Sequence, residues 1–470
     1  MLYTCTVWSQ KRQRDTEPKL ILDIPIIDVP YLGYSIQSRA NHRNQVSATE
    51  SANIKIGDYL GILESPSMYQ VMGYTTSFYN TVNYSIAKTW NKWKDPSKSK
   101  SSRIWNSIFK EFSAAIVFAA TTKVPFAGGW AHEEFHRNTW AQYDIGSYNE
   151  IWNWNLSPDA LSYVSHLRDE DLVWFKANDP AGFVRMGSAG IEAHFLTNEL
   201  LQTQDFLYNT NLPNIALYWA DVIASSDYVN RASTTKTIEE HSEIYDSEEN
   251  VLKRDFTGND FTGWVYDLFR PNEPYEDRGI HPTGIGIDRY RTYNDLTPQM
   301  LDYVERMGNR QWLNLISPFM IGIREFRINE NLSANFAIRH YLTPFGDDIQ
   351  VELYARFNDI KSQIVLHNYA NFNNQFKGLE VRIFDQPLYI GKLQRLVTNG
   401  RLMLWNQPKN QLFRTNKNSF GGLASMDVRY KMKNNWHPYM NFEAKTNGWV
   451  AGNPYLDDRF SVRIGLQASF

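Results

Sequence analysis

The chain has 470 residues, a formal net charge of -3 and one cysteine, Cys5. This length favours two structural regions, and the nearly balanced charge argues against nucleic acid as a partner. A single cysteine excludes a disulfide framework and a cysteine zinc site, so any metal must be held by His, Asp or Glu. The aromatic content of 14% suits a carbohydrate-binding surface or the aromatic girdles of a membrane barrel.

The first 18 residues have two interpretations. They resemble the end of a secretory signal, with the basic run Lys11-Arg12-Gln13-Arg14 near the cleavage region, or they form a disordered tail. Residues 19–312 are expected to form a mainly helical, metal-binding domain. Within it, residues 19–75 mix short strand-like runs with turns, and helical periodicity begins near Ser77.

The central feature of this region is the segment Trp130–Arg137, which contains the pattern H-E-x-x-H. A helix is predicted over 104–122, and the apolar run 112–131 is expected to be buried rather than to cross a membrane, because Lys123 and the paired glycines interrupt it. On the helix that follows, His132 and His136 are four residues apart and leave the same face. Both imidazoles can then hold one metal ion, with Glu133 beside it.

This pattern resembles the motif of zincin metallopeptidases. The resemblance implies a Zn²⁺ ion held by His132 and His136, and a zinc-bound water that Glu133 deprotonates as the catalytic base. A di-iron carboxylate bundle would also use Glu133 and His136, but it needs a second E-x-x-H copy. The sequence contains none, so zinc is preferred to iron.

The third ligand is expected on a predicted helix over 186–208. Glu192 and Glu199 are seven residues apart there, two turns along one face. In gluzincins, which this layout resembles, a glutamate from a downstream helix completes the site. The resemblance implies Glu192 as the third metal ligand, and His194 is the alternative. Around an ideal helix His194 points about 200° away from Glu192, so the two residues can hardly face the same ion. Glu199 would orient a ligand without touching the metal.

Further helices are predicted over 213–225, 256–270 and 297–307. Between them, Gly284 and Gly286 resemble a phosphate loop, but no strand precedes them, and nucleotide binding is therefore not predicted. His281 and Asp288 of the same segment either line a cleft or belong to a structural turn.

Residues 313–470 show short stretches in which apolar and polar residues alternate, separated by turns. The last stretch is the clearest, since Phe460, Val462 and Ile464 fall on one face while Ser461 and Arg463 fall on the other. Its aromatic end resembles the last strand of bacterial outer-membrane barrels. The resemblance implies a β-barrel over 313–470, which strands from 19–75 could complete, and a soluble β-domain is the alternative.

These observations predict an α+β protein with a helical zincin-like domain followed by a C-terminal antiparallel β-barrel of the outer-membrane type. The expected function is zinc-dependent hydrolysis in the outer membrane of a Gram-negative bacterium. The partners would be outer-membrane lipid and a peptide or lipid substrate, with a peptide favoured. The alternative function is a non-catalytic barrel for transport or assembly whose helical part is a plug.

Overall fold

Helical periodicity gives way to alternation near residue 316, and the fold follows this change. A computed structural model describes residues 17–31, 65–93, 99–153, 162–390 and 393–470. It has a helical region and a ten-stranded antiparallel sheet, so the predicted α+β class is confirmed. Residues 1–16 of the predicted signal remnant (1–18) and residues 32–64 of the region with strand-like runs (19–75) lie outside the described residues.

The helical region contains α1 (Met68–Trp93), α2 (Lys100–Thr121), α3 (Gly128–Ala141), α4 (Asp169–Asn178), α5 (Pro180–Tyr208), α6 (Ile215–Arg231), α7 (Lys236–Glu240), α8 (Asp260–Phe269) and α9 (Pro298–Arg310). The strands are β1 (Ile21–Val29), β2 (Tyr148–Asn149), β3 (Val164–Ser165), β4 (Phe326–Arg327), β5 (Leu332–Thr343), β6 (Gly346–Phe357), β7 (Ile360–Ala370), β8 (Gln375–Ile390), β9 (Leu393–Pro408), β10 (Asn418–Tyr430), β11 (Trp436–Lys445) and β12 (Arg459–Ser469).

Helix α5 is the long central helix, and its ends have local causes. The Asp179 carboxylate accepts the backbone N–H of Gly182, and Pro180 occupies the first turn, where no helical donor is needed. The helix ends at Asn209, whose φ of 51° is left-handed and stops the α-helical hydrogen bonding. No helix among the described residues has the length and apolar character needed to cross a membrane.

The large sheet is a meander from β4 to β12, and β1 adds to its end. The strand order is β1-β12-β11-β10-β9-β8-β7-β6-β5-β4. Ile24 pairs with Leu466, so the start of the described chain is bonded to its end. Among the described strands, β1 and β4 form the two edges and do not pair with each other.

The two faces of the sheet have opposite chemistry, as the alternation in β12 predicts. Phe460 and Ile464 are exposed on the outer face, while Ser461 and Arg463 are buried on the inner face. The inner charges are paired across strands, because a buried charge without a partner is costly. Arg463, for example, donates to Asp28 of β1 and Glu443 of β11 at 3.1 and 3.0 Å.

The inner face of the sheet covers α5, and the two regions share one hydrophobic core. Phe195 of α5 packs edge-on against Tyr341 of β5, with ring centroids 6.0 Å apart. Trp449, between β11 and β12, belongs to the same core. The predicted boundary at 312/313 therefore falls inside one packed unit.

One expectation about α2 is wrong. Phe112 and Ile116 of the apolar run 112–131 are 63% and 55% exposed, although that run was expected to be buried. Its later part behaves as predicted, because Ala127, Trp130 and Ala131 are buried in the core.

Candidate metal centre

Helix α3 carries the H-E-x-x-H residues, and it begins at Gly128, just beyond the turn that contains Pro125. His132 and His136 leave the same side of α3, as their spacing requires, and their ring centroids are 4.7 Å apart. The His136 side chain is fully buried, while 13% of the His132 side chain is exposed. Solvent therefore reaches the site from the His132 side.

Asp260, the first residue of α8, brings a carboxylate to both imidazoles. Its Oδ2 atom lies 3.1 Å from Nε2 of His132 and 3.2 Å from Nε2 of His136. Asn259 caps the start of α8 by accepting the N–H groups of Phe261 and Thr262, which fixes where Asp260 points. The ligand atoms of His132, His136 and Asp260 all lie within 4.8 Å of one another, so this group could hold a metal ion.

Gly190 of α5 gives the two imidazoles their space. A β-carbon at residue 190 would lie 2.3 Å from Nε2 of His132 and 2.5 Å from Nε2 of His136. Real β-carbon contacts are essentially never this short, so glycine at this position lets α5 pack against α3 while both imidazoles keep their places. The side of Gly190 that lacks a side chain thus faces the Nε2 atoms of His132 and His136.

The Nδ1 atoms of His132 and His136 take part in hydrogen bonds, and these bonds orient the two Nε2 atoms toward Asp260. Nδ1 of His136 donates to the backbone carbonyl of Met186, because a carbonyl can only accept. Nδ1 of His132 lies 3.3 Å from Nε2 of His194, and Nδ1 of His194 lies 3.3 Å from the Asp221 carboxylate. Such outer partners fix the tautomer and orientation of metal-binding histidines.

Burial and mutual charge shift the pKa values of the three groups in different directions. Burial lowers the pKa of His132 to about 4. Burial also acts to lower the pKa of His136, but the adjacent Asp260 carboxylate outweighs it and raises the pKa to about 9. The two histidines hold the pKa of Asp260 below its ordinary range despite its burial. The metal-free site therefore has an anionic Asp260 beside a protonated His136.

Glu133 and Glu134 follow each other in sequence but differ in their surroundings. Glu134 accepts two hydrogen bonds from Arg137, each 2.7 Å long, and one from Asn149 at 2.9 Å. No hydrogen bond to another described residue is found for the buried Glu133 carboxylate, and burial raises its pKa well above the ordinary value. Glu134 is therefore held by an ion pair, whereas Glu133 has no such partner among the residues that the structure describes.

Glu192, the expected third ligand, lies outside the cluster of His132, His136 and Asp260. It is two residues beyond Gly190, about 200° further around α5, so its side chain points away from the imidazoles. The Glu192 carboxylate accepts from Arg185 at 2.8 Å and from the N–H of Gly452 at 2.7 Å. Asp260, and not Glu192, is therefore the carboxylate that lies with His132 and His136.

The remaining predicted residues lie around this cluster or far from it. His194 contacts His132 through the nitrogen that faces away from the site, so it supports a ligand and does not join the set. Glu199 accepts from Tyr341 at 3.0 Å and from Arg382, which places it at the boundary of helix and sheet. His281 bonds to Thr283 and Asp288 to Arg291, so their segment is a turn.

Asp260 was missed because its signal in the sequence is weak. It is an acidic residue at the start of a predicted helix, directly after the capping residue Asn259. No local feature of the sequence shows that the start of this helix packs against α3, 124 residues after His136. Similarity to known proteins does not help to locate the third ligand, because no protein family, curated protein or solved structure matches the chain.

Proposed function

We propose that this protein is a zinc-dependent hydrolase whose ion is held by His132, His136 and Asp260. The observation that carries the proposal is the convergence of these three ligand atoms close to Glu133, whose carboxylate has no hydrogen bond to another described residue. Two features support a resident ion. The Nε2 atoms of His132 and His136 lie 3.1 and 3.2 Å from the same Asp260 oxygen, and Gly190 leaves the adjoining space unfilled.

The chemistry of the donors favours zinc among the divalent metals. Two imidazoles and one carboxylate are a typical three-ligand set for catalytic zinc, which leaves a further position open for water or substrate. When bound, zinc would act as a Lewis acid that lowers the pKa of water and polarises a carbonyl group.

The protein residues then have separate tasks. Glu133 would accept the proton of the attacking water, and burial raises the pKa of this carboxylate well above its ordinary value. His194 and Asp221 hold His132 in orientation, as the Met186 carbonyl does for His136. Tyr228 accepts the backbone N–H of Asp260 at 3.3 Å and fixes the start of α8.

A peptide is the substrate class that the zincin resemblance favours, and a lipid is the alternative. In either case the water would attack a carbonyl carbon while Glu133 accepts its proton, so an amide and an ester would be attacked in the same way. The 13% exposure of the His132 side chain supports access for a substrate from the His132 side.

The outer face of the sheet supports a location in a lipid bilayer. One cross-strand row on this face, defined by the strand registers, is entirely uncharged: Phe336, Leu353, Ile364, Val381, Leu402, Ala424, Ala444 and Phe460. Leu402 and Phe460 in this row are 54% and 60% exposed. The long strands contain 10 to 16 residues, enough for the ~9–11 that a membrane-spanning strand needs.

We therefore include in the proposal an outer-membrane barrel around the central helices. A sheet with an apolar outer face and a charged, internally paired inner face is what a barrel in lipid requires. Lipid would contact the outer face, and α5 would occupy the interior.

Metal analysis of the purified protein, combined with assays on peptide and lipid-ester libraries, tests the hydrolase proposal. The wild type should contain one zinc per chain and hydrolyse a peptide. Glu133→Gln should keep the zinc and lose hydrolysis, because the attacking water loses its proton acceptor.

Glu134→Gln is the matched control for this substitution. It weakens the ion pair with Arg137 and should lower stability, while the folded fraction keeps its activity. A wild type without zinc would contradict the proposal and favour a non-catalytic barrel for transport or assembly.

A further inference from the structure

Helix α2 is turned with its apolar side outward. Its exposed stripe is made of residues that are 47% to 63% exposed: Ile104, Trp105, Ile108, Phe112 and Ile116. By contrast, the polar Asn106 of the same helix is 2% exposed. A surface helix in water shows the reverse arrangement, with polar residues outside.

Polar contacts on the inner side of α2 fix this orientation. Ser113 accepts the indole N–H of Trp90 of α1 at 2.9 Å. Glu111 accepts the backbone N–H groups of Ile215 and Ala216 at the start of α6, at 3.1 and 3.4 Å. Rotating the stripe inward would break these bonds and bury unpaired polar groups, so the outward apolar face is built into the fold.

Helix α2 is linked through its neighbours α1 and α6 to both edges of the large sheet. Helix α1 runs along β1, since Asn80 donates to the carbonyl of Ile21 and Tyr74 to that of Pro25. Helix α2 packs against both α1 and α6. On the far side, Trp219 of α6 donates to the carbonyl of Met320, just before β4. The three helices thus connect one edge strand to the other.

Exposed apolar residues continue from the stripe toward β4. They lie on α6 and on the segment that leads into the sheet: Trp219, Ile223, Ile321, Ile323 and Phe326. Exposed apolar residues thus occur on α2, on α6, before β4 and on the outer face of the sheet, and together they are called the apolar belt. A single apolar patch would fit a protein partner, but a belt that continues around sheet and helices fits a surrounding solvent.

Aromatic and basic residues mark one end of α2. Trp90 stacks on Phe109 with centroids 4.8 Å apart, and Trp105 lies 5.8 Å from the same ring. Lys92, Lys100 and Arg103 lie at the same end in sequence, where α1 ends and α2 begins. Tryptophan with lysine and arginine is typical of the level of lipid head groups, where the cations meet anionic lipid.

The sheet has aromatic residues at the matching end. Lys88, near the end of α1, contacts Glu17, just before β1, which places this end of α1 beside the start of β1. There, Leu20 exchanges backbone hydrogen bonds with Phe470, whose ring lies 6.0 Å from that of Trp436. Helices and sheet therefore present their aromatic ends at one level.

We infer that the stripe of α2 is embedded in the apolar layer of an anionic lipid bilayer and completes the lipid-facing belt between β1 and β4. From Ile104 to Ile116 the stripe rises ~18 Å along the helix, which fits within the ~25 Å apolar band of outer-membrane barrels. The inference rests on the proposed lipid contact of the outer sheet face and does not depend on hydrolysis. A second copy of the chain is the competing occupant.

Depth-dependent fluorescence quenching tests the inference on the full chain. Replacing Cys5, the only cysteine, with serine provides a background for single labels. An environment-sensitive fluorophore is attached at Phe112→Cys, at Leu402→Cys on the outer sheet face, or at the exposed Asp302→Cys of α9. The proteins are reconstituted in phosphatidylethanolamine and phosphatidylglycerol vesicles that carry nitroxides on their acyl chains. Ile108→Cys is a second stripe position if Phe112→Cys does not fold.

The stripe label should shift to the blue and be quenched as strongly as the label at residue 402, while the label at 302 stays unquenched. Quenching at 402 without quenching at 112 and 108 would overturn the inference. A blue shift at 112 without quenching, in a protein that is dimeric in detergent, would assign the stripe to a second copy. Failure at both 112 and 402 would also remove the lipid contact of the sheet. Zinc content and hydrolysis of the same samples report on the hydrolase proposal separately.

Discussion

Gly190 and His132 are so close that a β-carbon on residue 190 would lie 2.3 Å from the Nε2 atom of the imidazole. The same β-carbon would lie 2.5 Å from Nε2 of His136. These two nitrogens are the proposed metal-binding atoms, so the glycine is a requirement of the site more than of the helix. Within a helix, glycine costs about 0.5–1 kcal/mol relative to alanine.

Gly190→Ala should therefore leave the chain folded but displace both imidazoles and abolish zinc binding. The methyl group meets the far ends of two side chains, which can move, and alanine favours the helix. Zinc content and circular dichroism of the variant check this expectation. Gly400→Ala is the matched control, because a β-carbon there meets nothing within 4 Å and its zinc content should not change. Full zinc occupancy in Gly190→Ala would place the metal elsewhere.

The parts of the site that the sequence predicts are those set by local geometry. The spacing of His132 and His136 on one helix brings them together whatever the rest of the chain does. The identity of the third ligand depends on which distant helix end packs against α3. The seven-residue spacing of Glu192 and Glu199 gives no information about that packing. Gly190 and Asp260 meet the histidines through packing alone.

The same limit applies to the sheet and to α2. Alternation correctly predicts that Ile464 and Arg463 lie on opposite faces. It cannot show that Arg463 pairs with Asp28, which is 435 residues earlier in the chain. For α2, apolar composition predicts burial, but the polar anchors Ser113 and Glu111 are bound by other helices and turn the apolar side outward.

Asp260→Asn and Glu192→Gln should separate the metal ligand from the structural carboxylate. Asp260→Asn removes the anionic ligand and should weaken zinc binding by at least roughly 10-fold. Glu192→Gln leaves Arg185 buried without its counter-charge, which should lower the free energy of unfolding by about 3–5 kcal/mol with little effect on zinc affinity. Competition with a chelator measures the affinity and thermal unfolding the stability. If Glu192→Gln weakens zinc binding and Asp260→Asn does not, Glu192 would be the third ligand.

Zinc affinity should fall as the pH falls below about 9. The pKa of His136 is raised to about 9 by Asp260, so the imidazole carries a proton in the metal-free protein at neutral pH. Zinc binds only the unprotonated ring, and binding must displace this proton. The pKa of His132, lowered to about 4 by burial, adds no second proton.

Between roughly pH 6 and 8, the logarithm of the zinc association constant should therefore rise by about one per pH unit. Titration calorimetry in two buffers of different ionisation enthalpy should find about one proton released for each zinc bound. A profile that is flat in this range would show that His136 is already neutral before the metal arrives.

Ile464→Arg should destabilise the protein in lipid far more than in the absence of lipid contact. Ile464 lies on the outer face near the middle of β12 and is 37% exposed, so its replacement would place a charge in the proposed apolar layer. A charge at this depth costs about 2–4 kcal/mol in a membrane barrel, whereas an exposed substitution in water changes stability by at most about 0.5 kcal/mol. Glu305→Arg on the exposed side of α9 adds the same side chain outside the belt and should have little effect. Unfolding in phosphatidylglycerol-containing vesicles measures the difference, and equal stability of the two variants would contradict a lipid-facing sheet.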